Sequence, residues 1–260
     1  MGTFDKRIVL VTGASSGIGL ACAEAFARQG ARLVLAARRK ERLEKLAIGL
    51  KSSYSTESFI IQLDVRHQPS VENAIRSLPP AWQDIEVLVN NAGLSRGLDK
   101  LFEGKLDDWE EMLDTNVKGL LYVSRAVVPG MVARGKGTIV NLGSIAGHEV
   151  YPGGNVYCAS KHAVDALTKG LRMDLVDTPI RVCTVDPGLV ETEFSMIRFR
   201  GNEQRAKAVY QNLTPLTPAD VADAVLYCAS APAHVQIAEM IILPTNQASS
   251  TLVHRTPAAK

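Results

Sequence analysis

The sequence has little of what marks secreted, metal-binding or membrane proteins. Its 260 residues include only four cysteines, Cys22, Cys158, Cys183 and Cys228. They lie far apart and show no metal-ligand spacing, so we expect reduced and mostly buried thiols. The five histidines are scattered as well, and no metal site is predicted from them.

An excess of one charge and long apolar runs are also missing. The chain has 29 Lys and Arg against 27 Asp and Glu, and this near balance gives no reason to expect nucleic acid or a membrane surface as partner. It has neither the apolar segment of a signal peptide nor an apolar run long enough to cross a bilayer. Lys6 stands where a myristoylation motif has Ser or Thr. We therefore expect a cytoplasmic protein.

What is present is an alternation of short apolar runs and helical patterns. Strands are predicted over residues 7–12, 33–37, 59–63, 87–90, 138–142, 181–185 and 240–243. The clearest helical patterns cover residues 20–29, 39–50, 71–78, 109–133 and 157–175. This order predicts one α/β domain, residues 1–260, with a Rossmann-type doubly wound parallel sheet and helices on both of its faces.

Three other segments have distinct compositions. Residues 51–58 are polar and predict a surface connection between elements. Residues 189–218 are long for a connection, and we expect them to stand above the ligand cleft as a lid. The polar tail, residues 244–260, predicts no helix or strand of its own, and we expect it to lie across a neighbouring subunit.

A glycine-rich loop joins the first predicted strand to the first helix. It reads Gly13-Ala14-Ser15-Ser16-Gly17-Ile18-Gly19, so its spacing is G-x-x-x-G-x-G rather than the G-x-G-x-x-G of many dinucleotide folds. A strand, a glycine loop and a helix start together present backbone N–H groups and the positive end of the helix dipole to a phosphate. The loop therefore predicts a phosphate-binding site, the alternative being a tight turn alone.

The end of the second predicted strand indicates which nucleotide binds there. NAD-specific folds place a carboxylate at this point to hold the ribose 2′-hydroxyl. Here the strand ends in Arg38-Arg39-Lys40, three cations at a helix start, where the helix dipole disfavours positive charge. An incoming anion would relieve this, and Arg38 first and Arg39 second are predicted to bind the 2′-phosphate of NADP. The alternative is a solvated cationic face.

Ser144, Tyr157 and Lys161 predict the chemistry. Tyr157 and Lys161 are four residues apart, so on a helix they share one face and the ammonium favours the phenolate. The Tyr pKa must fall by roughly 3 units to act near pH 7, an interaction worth about 4 kcal/mol. One partly solvated Lys is not enough, so a second cation is expected, and an oxidised nicotinamide ring would supply it. Ser144 could bind the same substrate oxygen.

Together these motifs resemble the short-chain dehydrogenase/reductase family over nearly the whole chain. Residues 12–19 resemble its cofactor loop, and Asp64-Val65 resembles its adenine-side pair. Asn90-Asn91-Ala92-Gly93 resembles the motif after strand 4. Asp186-Pro187-Gly188, with Val190 and Thr192, resembles the nicotinamide-side segment. The resemblance implies that these residues contact NADP.

The same resemblance implies a catalytic tetrad of Asn116, Ser144, Tyr157 and Lys161, with no departure at any of the four positions. Tyr157 would exchange a proton with the substrate hydroxyl while hydride passes between the carbinol carbon and NADP. Ser144 would hold the substrate oxygen, and Lys161 would also bond the nicotinamide ribose. The backbone of Asn116 would position a water that leads protons to Lys161.

Within the family, several stretches beyond residue 60 resemble the NADP-dependent 3-hydroxy acid dehydrogenases. The resemblance implies a homotetramer that acts on serine, L-allo-threonine or 3-hydroxypropionate/malonic semialdehyde. Arg198, one of four cations in the predicted lid, is then expected to bind the substrate carboxylate. His148, near Ser144, is expected on the substrate side. Two alternatives stay open: a broad carbonyl reductase of ketones, aldehydes or dicarbonyls, and a non-catalytic NADP(H)-sensing protein.

Overall fold

A computed structural model describes residues 2–256 and contains one seven-stranded parallel sheet. All seven predicted strands are present within two residues of their predicted bounds. They are β1 (Ile8–Thr12), β2 (Arg32–Ala37), β3 (Ser58–Gln62), β4 (Ile85–Asn90), β5 (Thr138–Leu142), β6 (Arg181–Pro187) and β7 (Glu239–Ile242). β1 and β5 are buried along their whole length, as expected for strands covered on both faces.

Helices cover both faces of the sheet and complete the doubly wound fold. Those long enough to build the core are α1 (Gly17–Arg28), α2 (Lys40–Tyr54), α3 (Gln68–Arg76), α4 (Leu106–Leu113), α5 (Gly119–Arg134), α6 (Asn155–Asp174) and α9 (Pro218–Ser230). α1, α2 and α9 contribute to one apolar core, whereas α3 and α5 contribute to the core on the other face. Two short helices, α7 (Phe194–Arg198) and α8 (Glu203–Ala208), lie outside these layers. No helix in residues 2–256 is long and apolar enough to cross a membrane.

The strand order determines where a ligand can bind. The sheet runs β3-β2-β1-β4-β5-β6-β7, so the winding reverses direction between β1 and β4. Ligands of open α/β sheets bind in the crevice at the carboxyl ends of the strands beside such a reversal. The glycine loop follows β1, and Asn91 follows β4, at this crevice.

Three of the differences from the predicted boundaries have a clear physical cause. The predicted helix over 109–133 is divided by a π-helical turn at Asp114–Lys118 between α4 and α5. α2 continues to Tyr54, into the predicted surface connection, because its last carbonyls accept hydrogen bonds from Ser55 and Thr56. β6 extends through Pro187, because β7 pairs with its last two residues.

The tail folds back on its own chain. The Arg255 guanidinium donates to the carbonyls of Val209 and Gln211, and the Thr256 N–H donates to the carbonyl of Asn212. The Ser250 N–H also donates to Glu149, at 2.7 Å. These contacts hold residues 245–256 against their own chain, and a tail that also lies across a neighbouring subunit stays a prediction. The prediction for residues 257–260 lies outside the described residues. The tail also forms one antiparallel bridge, between Gln247 and Val253.

Candidate active site

One cavity of about 350 Å³ follows the carboxyl ends of the strands, from Arg38 at one end to Arg198 at the other. Most of the residues that the sequence predicts for the site line this cavity, whereas Thr12, Ala14, Gly19, Asn90, Asn116, His148 and Asp186 do not. Those that do are Gly13, Ser15, Ser16, Gly17, Ile18, Arg38, Arg39, Asp64, Val65, Asn91, Ala92, Gly93, Ser144, Tyr157, Lys161, Pro187, Gly188, Val190, Thr192 and Arg198.

The glycine loop has the shape that a phosphate site requires. Gly13 and Gly17 have φ of +67° and +53°, a region that favours glycine. A Cβ at Gly19 would lie 2.4 Å from the carbonyl oxygen of Gly13, so this residue lets α1 pack on the loop instead of lining the cavity. The Ser16 side chain makes no cap hydrogen bond to α1. The first N–H groups of α1, in the cavity wall, therefore lack a side-chain cap, and they fit a diphosphate.

The two arginines after β2 have different surroundings. Arg38 is exposed and its guanidinium makes no hydrogen bond or ion pair within residues 2–256. Arg39 donates to the hydroxyls of Ser15 (3.2 and 3.1 Å) and Ser16 (2.7 Å). It also donates to Glu193 at 2.9 Å. Arg38 thus has its donors free for a 2′-phosphate, whereas Arg39 connects the glycine loop to the segment 189–218.

The adenine side of the cavity is held by local pairs. The Arg66 guanidinium donates to both carboxylate oxygens of Asp64, with a shortest distance of 2.5 Å. Burial raises the pKa of Asp64, but the hydrogen bonds and charge of Arg66 outweigh this and leave the pKa below its usual value. After β4, the N–H groups of Asn91 and Ala92 both donate to the Thr12 hydroxyl, which joins the ends of β1 and β4.

Ser144 lies directly beyond β5 and is held by its backbone. Its N–H donates to Asp186 Oδ1 at 3.0 Å, and its hydroxyl accepts from the N–H of Ala146 at 3.1 Å. The hydroxyl also approaches the Pro187 carbonyl at 3.4 Å. The side chain is thus oriented in the cavity wall between β5 and β6.

Tyr157 and Lys161 lie on the buried face of α6, one turn apart as predicted. The Lys161 ammonium donates to the Leu142 carbonyl at 2.8 Å and lies 6.0 Å from the centre of the Tyr157 ring. Burial lowers the pKa of Lys161 to about 8, although the carboxylate of Asp186 raises it. Lys161 is therefore a buried cation, and the oxygens of Leu142 and Asp186 stabilise its charge.

The cation that acts on Tyr157 is Arg198. Burial raises the pKa of Tyr157 well above its usual value, while Arg198 and Ser144 lower it. The Lys161 ammonium, by contrast, points to the Leu142 carbonyl. The second cation expected from the sequence is present in the chain itself, since the Arg198 guanidinium carbon lies 5.2 Å from the Tyr157 ring centre.

Arg198 is held in place by polar groups of two other elements. Its Nε donates to the Ser95 hydroxyl at 3.0 Å, and its Nη2 donates to the Tyr151 hydroxyl at 2.7 Å. The other three cations of the segment are engaged elsewhere: Arg200 bonds Asp108, Arg205 stacks on Phe199, and Lys207 pairs with Glu203. Of the four, only Arg198 lines the cavity.

Asn116 lies in the π-helical turn and is 2% exposed. Its side-chain oxygen accepts from the N–H of Leu94, and its amide donates to the Leu94 carbonyl and the Ser160 hydroxyl. Ser160 in turn donates to the Tyr157 carbonyl. The side chain thus ties the segment after β4 to α6 and does not reach the cavity, which leaves only its backbone for the predicted role.

Several cavity residues had no sequence signal that singled them out. Phe194 packs edge-on against Tyr157 with ring centres 5.5 Å apart. The Gln247 side chain, from the tail, accepts from the N–H of Leu189 at 2.8 Å. Glu193 binds Arg39 and also Arg42, whose Nη1 lies 2.6 Å from its second oxygen. Only Glu193 could have been suspected, because it follows Thr192 in a recognised motif.

His148 departs from its expected position. It is not among the residues that line the cavity, and its ring turns away from the substrate side toward Asp186 and Glu239. The four cysteines are free and buried, as predicted.

Comparisons with known proteins agree with this geometry. The family model for short chain dehydrogenases matches residues 7–203. The NADP-dependent 3-hydroxy acid dehydrogenase of Schizosaccharomyces pombe is 44% identical over 259 residues, which cover 99% of this chain and 100% of that protein. Sulfoacetaldehyde reductase 2 of Chromohalobacter salexigens is 45% identical over 244 residues, which cover 94% of this chain and 96% of that protein.

A solved structure, the closed form of serine dehydrogenase complexed with NADP+, is similar with a TM-score of 0.90. It is 45% identical in sequence, and the match covers 96% of this chain and 100% of that one. The prediction of the family from its motifs is confirmed. The chain belongs to the short-chain dehydrogenase/reductase family and is an oxidoreductase.

Proposed function

We propose that the enzyme transfers hydride between NADP(H) and the β-hydroxyl carbon of short 3-hydroxy acids. Serine, L-allo-threonine and 3-hydroxypropionate are the substrates we expect, the last being interconverted with malonic semialdehyde. NADP is the cofactor, in agreement with the similar proteins and with the free Arg38 guanidinium beside a strand end that has no carboxylate. The observation that carries the substrate class is the place of Arg198 beside Tyr157.

Arg198 has the contacts that a carboxylate-binding residue needs. Ser95 and Tyr151 use its Nε and Nη2, while Nη1 makes no hydrogen bond to any described residue. The guanidinium therefore arrives oriented and keeps donors for a ligand in the cavity that it lines. A short hydroxy acid has few carbon atoms to bury, so a charge-assisted hydrogen bond would orient it against Tyr157.

The chain's own groups would handle the proton. In oxidation, Tyr157 would take the hydroxyl proton from the substrate, and in reduction it would return that proton to the carbonyl oxygen. Ser144 would bind the same oxygen, and the buried ammonium of Lys161 would bind the ribose. The π-helical turn at Asn116 would present a backbone carbonyl to a water near Lys161. The bound NADP supplies the hydride acceptor or donor.

The glycine loop, Arg38, Asp64-Val65, Asn91 to Gly93 and the segment from Pro187 to Thr192 would hold the cofactor. Residues 189–218 would act as a lid, since they cover the cavity and α7 is anchored by hydrogen bonds from Arg96 and Gly97 to the backbone of Ile197 and Arg198.

A broad carbonyl reductase remains the second candidate. Aromatic rings of Tyr151, Phe194 and Tyr210 line the cavity near Tyr157, and such a surface accepts uncharged substrates too. A non-catalytic NADP(H) sensor has no support, because Ser144, Tyr157 and Lys161 all line one cavity.

One assay separates the three candidates. The absorbance of NADPH is followed during incubation of the enzyme and NADP with serine, L-allo-threonine, 3-hydroxypropionate or an uncharged secondary alcohol. We expect turnover that favours the acids. Equal kcat/KM for the uncharged alcohol supports the carbonyl reductase, and no turnover in either direction supports the sensor.

The Arg198→Ala variant tests the carboxylate contact. We expect KM for serine to rise about tenfold or more, as for loss of one charge-assisted hydrogen bond, with KM for an uncharged alcohol little changed. Because Arg198 lowers the pKa of Tyr157, oxidation of both substrates should also need a higher pH. Arg205→Ala, which removes a cation from the same segment outside the cavity, is the matched control. An equal rise in KM for both substrates would contradict the carboxylate role.

We also propose that the enzyme is a cytoplasmic homotetramer. Apolar side chains are exposed on α4 and α5 and at the end of α6, among them Leu113, Leu121, Val132 and Met173. Burial of these side chains against another copy would explain them. Light scattering after size exclusion would show four chains for the wild type, and a smaller particle for Leu121→Glu.

A further inference from the structure

A polar cluster lies behind Ser144, on the side away from the cavity. His148 follows a 3₁₀ turn (Ile145–Gly147), Asp186 is the last residue but one of β6, and Glu239 begins β7. Their side chains gather so that one ligand atom from each lies within 4.8 Å of the others. No sequence pattern predicts this cluster, since the three residues are far apart along the chain.

Asp186 connects the cluster to the catalytic groups. It is 1% exposed, and its Oδ1 accepts the N–H of Ser144 at 3.0 Å. A Cβ at Gly143 would lie 1.7 Å from that oxygen, so the carboxylate packs directly on the turn that carries Ser144. The charge of Asp186 also raises the pKa of buried Lys161. The Asp186 carboxylate thus holds the backbone of Ser144 and stabilises the positive charge of Lys161.

His148 faces the remaining oxygen of Asp186. The second oxygen, Oδ2, is buried and makes no hydrogen bond, and the same holds for His148 Nε2 within the described part of the chain. These two atoms are 3.5 Å apart, and His148 Nδ1 lies 3.9 Å from Glu239 Oε1. An imidazole with a carboxylate at each nitrogen can donate to both only when it carries two protons.

Two lysines lie near this cluster of His148, Asp186 and Glu239. Lys169, on α6, lies 3.9 Å from Glu239 and bonds Asp165 at 2.7 Å, and Lys161 approaches from the active-site side. Thr184, on β6, is buried close to Asp186 and lowers the pKa of its carboxyl. Burial raises the pKa of Asp186, while Thr184 and His148 lower it. A cation on His148 therefore favours the ionised form of Asp186.

We propose that His148 is a positioning residue for catalysis: by hydrogen bonding to Asp186, it keeps that carboxylate ionised and oriented, and thereby holds Ser144 and the charge of Lys161. This rests on the proposed function only in the roles given to Ser144 and Lys161. A bound metal ion is the competing explanation. The geometry favours protons on the ring over a metal ion. The two carboxylates face different nitrogens of His148, and a single metal ion could bind only one of those nitrogens.

The first experiment compares His148→Ala and His148→Gln with the wild type, and His234→Ala, in an exposed loop, is the control. We expect His148→Ala to lower kcat about tenfold, with KM and the NADPH Kd changed less than about twofold. Without His148 the pKa of Asp186 rises further, so the decline of kcat at low pH should begin at a higher pH. His148→Gln, which keeps one donor, should recover part of both effects.

Two results would overturn the proposal. One is an equal loss of kcat at every pH accompanied by a lower melting temperature, which indicates a structural role alone. The other is loss of wild-type activity in EDTA that is restored by Zn²⁺, which indicates a metal site. The assay can use whichever substrate the wild type turns over.

A second measurement does not depend on turnover. The His148 ring is followed by NMR from pH 5 to 9 in the wild type and in Asp186→Asn. We expect the chemical shift of Nε2 to change in the variant at every pH, because its carboxylate neighbour has been removed, and that of Nδ1, which faces Glu239, to change less. Unchanged shifts at both nitrogens would refute the contact between His148 and Asp186. If wild-type turnover fails with every substrate while the Nε2 shift changes, only the proposed function is wrong.

Discussion

The two ends of the cavity both depend on charge, but they hold it in different ways. At the phosphate end, Arg39 and Glu193 pair with side chains that are 39% and 41% exposed. At the catalytic end, Lys161 and Tyr157 are 8% and 9% exposed, and burial changes the pKa of each. Exposed ion pairs contribute about 0.2–1 kcal/mol, whereas a change of one pKa unit corresponds to about 1.4 kcal/mol. Charged side chains at the phosphate end can therefore change partners at little cost, and we call this end adjustable. Those at the catalytic end are held by burial, and we call this end fixed.

The two ends of the cavity also differ in how easily their contacts can be broken. The catalytic end is fixed by buried hydrogen bonds between neighbouring elements, such as Asn90 to Asn141 on adjacent strands and Asn141 to Thr168 on α6. Breaking them would leave buried polar groups unpaired, at a cost of about 1–3 kcal/mol each. Glu193 can leave Arg39 for water at little cost. The contacts at the phosphate end are therefore cheaper to break than those at the catalytic end.

The largest effect should come from the fixed end. Tyr157→Phe removes the group that exchanges the proton, so we expect kcat to fall by about 10²–10⁴, the range for general acid–base catalysis. The NADPH Kd should change by less than about threefold, since the ring remains. Stopped-flow turnover and fluorescence titration measure the two quantities. Retention of more than about a tenth of the activity would exclude this role for Tyr157.

The second effect concerns stability and pH. The pKa of Lys161 falls from 10.5 to about 8 on folding, so between these values the unfolded chain binds more protons. Stability contributed by this group must then rise with pH over that window, and the buried charge costs about 3 kcal/mol below it. Lys161→Met should be inactive yet unfold at higher denaturant at pH 7, without this rise.

Urea unfolding at pH 7 and pH 10 checks this prediction. The matched control is Lys169→Met, which removes an exposed Lys from the same helix. A wild type whose unfolding midpoint falls steadily from pH 7 to 10, in parallel with Lys161→Met, would mean that the ammonium is not buried at a cost.

How much the sequence predicts also differs between the two ends. Local spacing was sufficient for the glycine loop and for the Tyr157 and Lys161 pair, because both depend on neighbours along the chain. It could not predict that Arg198 lies beside Tyr157. Arg198 reaches that ring only because α7 folds over the sheet, and the Lys161 ammonium is diverted by the carbonyl of Leu142.

Long-range contacts account for the other errors. The π-helical turn at Asn116 depends on hydrogen bonds to Leu94 and Ser160, which a helical pattern cannot reveal. Sequence patterns also did not reveal that polar groups of the tail pair with the backbone of residues 209–212. Identical amino-acid types also differed in role: Arg38 and Arg39 are adjacent, yet only Arg39 is engaged by other side chains.

That pair supports the third prediction, at the adjustable end. Replacing Arg38 and Arg39 together with Ala should weaken NADP binding by about 100-fold, as for loss of two charge-assisted hydrogen bonds, and NAD binding by much less. Because the Arg39 guanidinium is occupied by Ser15, Ser16 and Glu193, most of the loss should appear in Arg38→Ala alone. Calorimetric Kd values for both cofactors test this. Equal losses for NADP and NAD would mean that the arginines do not contact the 2′-phosphate.

The smallest effect should come from Glu193, whose carboxylate joins Arg39 and Arg42 at 2.9 and 2.6 Å and so connects the segment 189–218 to the far side of the cavity. Glu193→Gln keeps the shape and removes the charge. At about 0.2–1 kcal/mol per exposed pair, loss of two pairs should speed NADPH dissociation by about two- to thirtyfold. The hydride-transfer rate in a single turnover should stay unchanged, because the catalytic end is fixed by other contacts.

Arg42→Ala should reproduce roughly half of the effect, and added salt should reduce the difference between wild type and variant by screening the pairs. If Glu193→Gln instead slowed hydride transfer, the two ends of the cavity would be coupled, and the division of tasks between an adjustable and a fixed end would not hold.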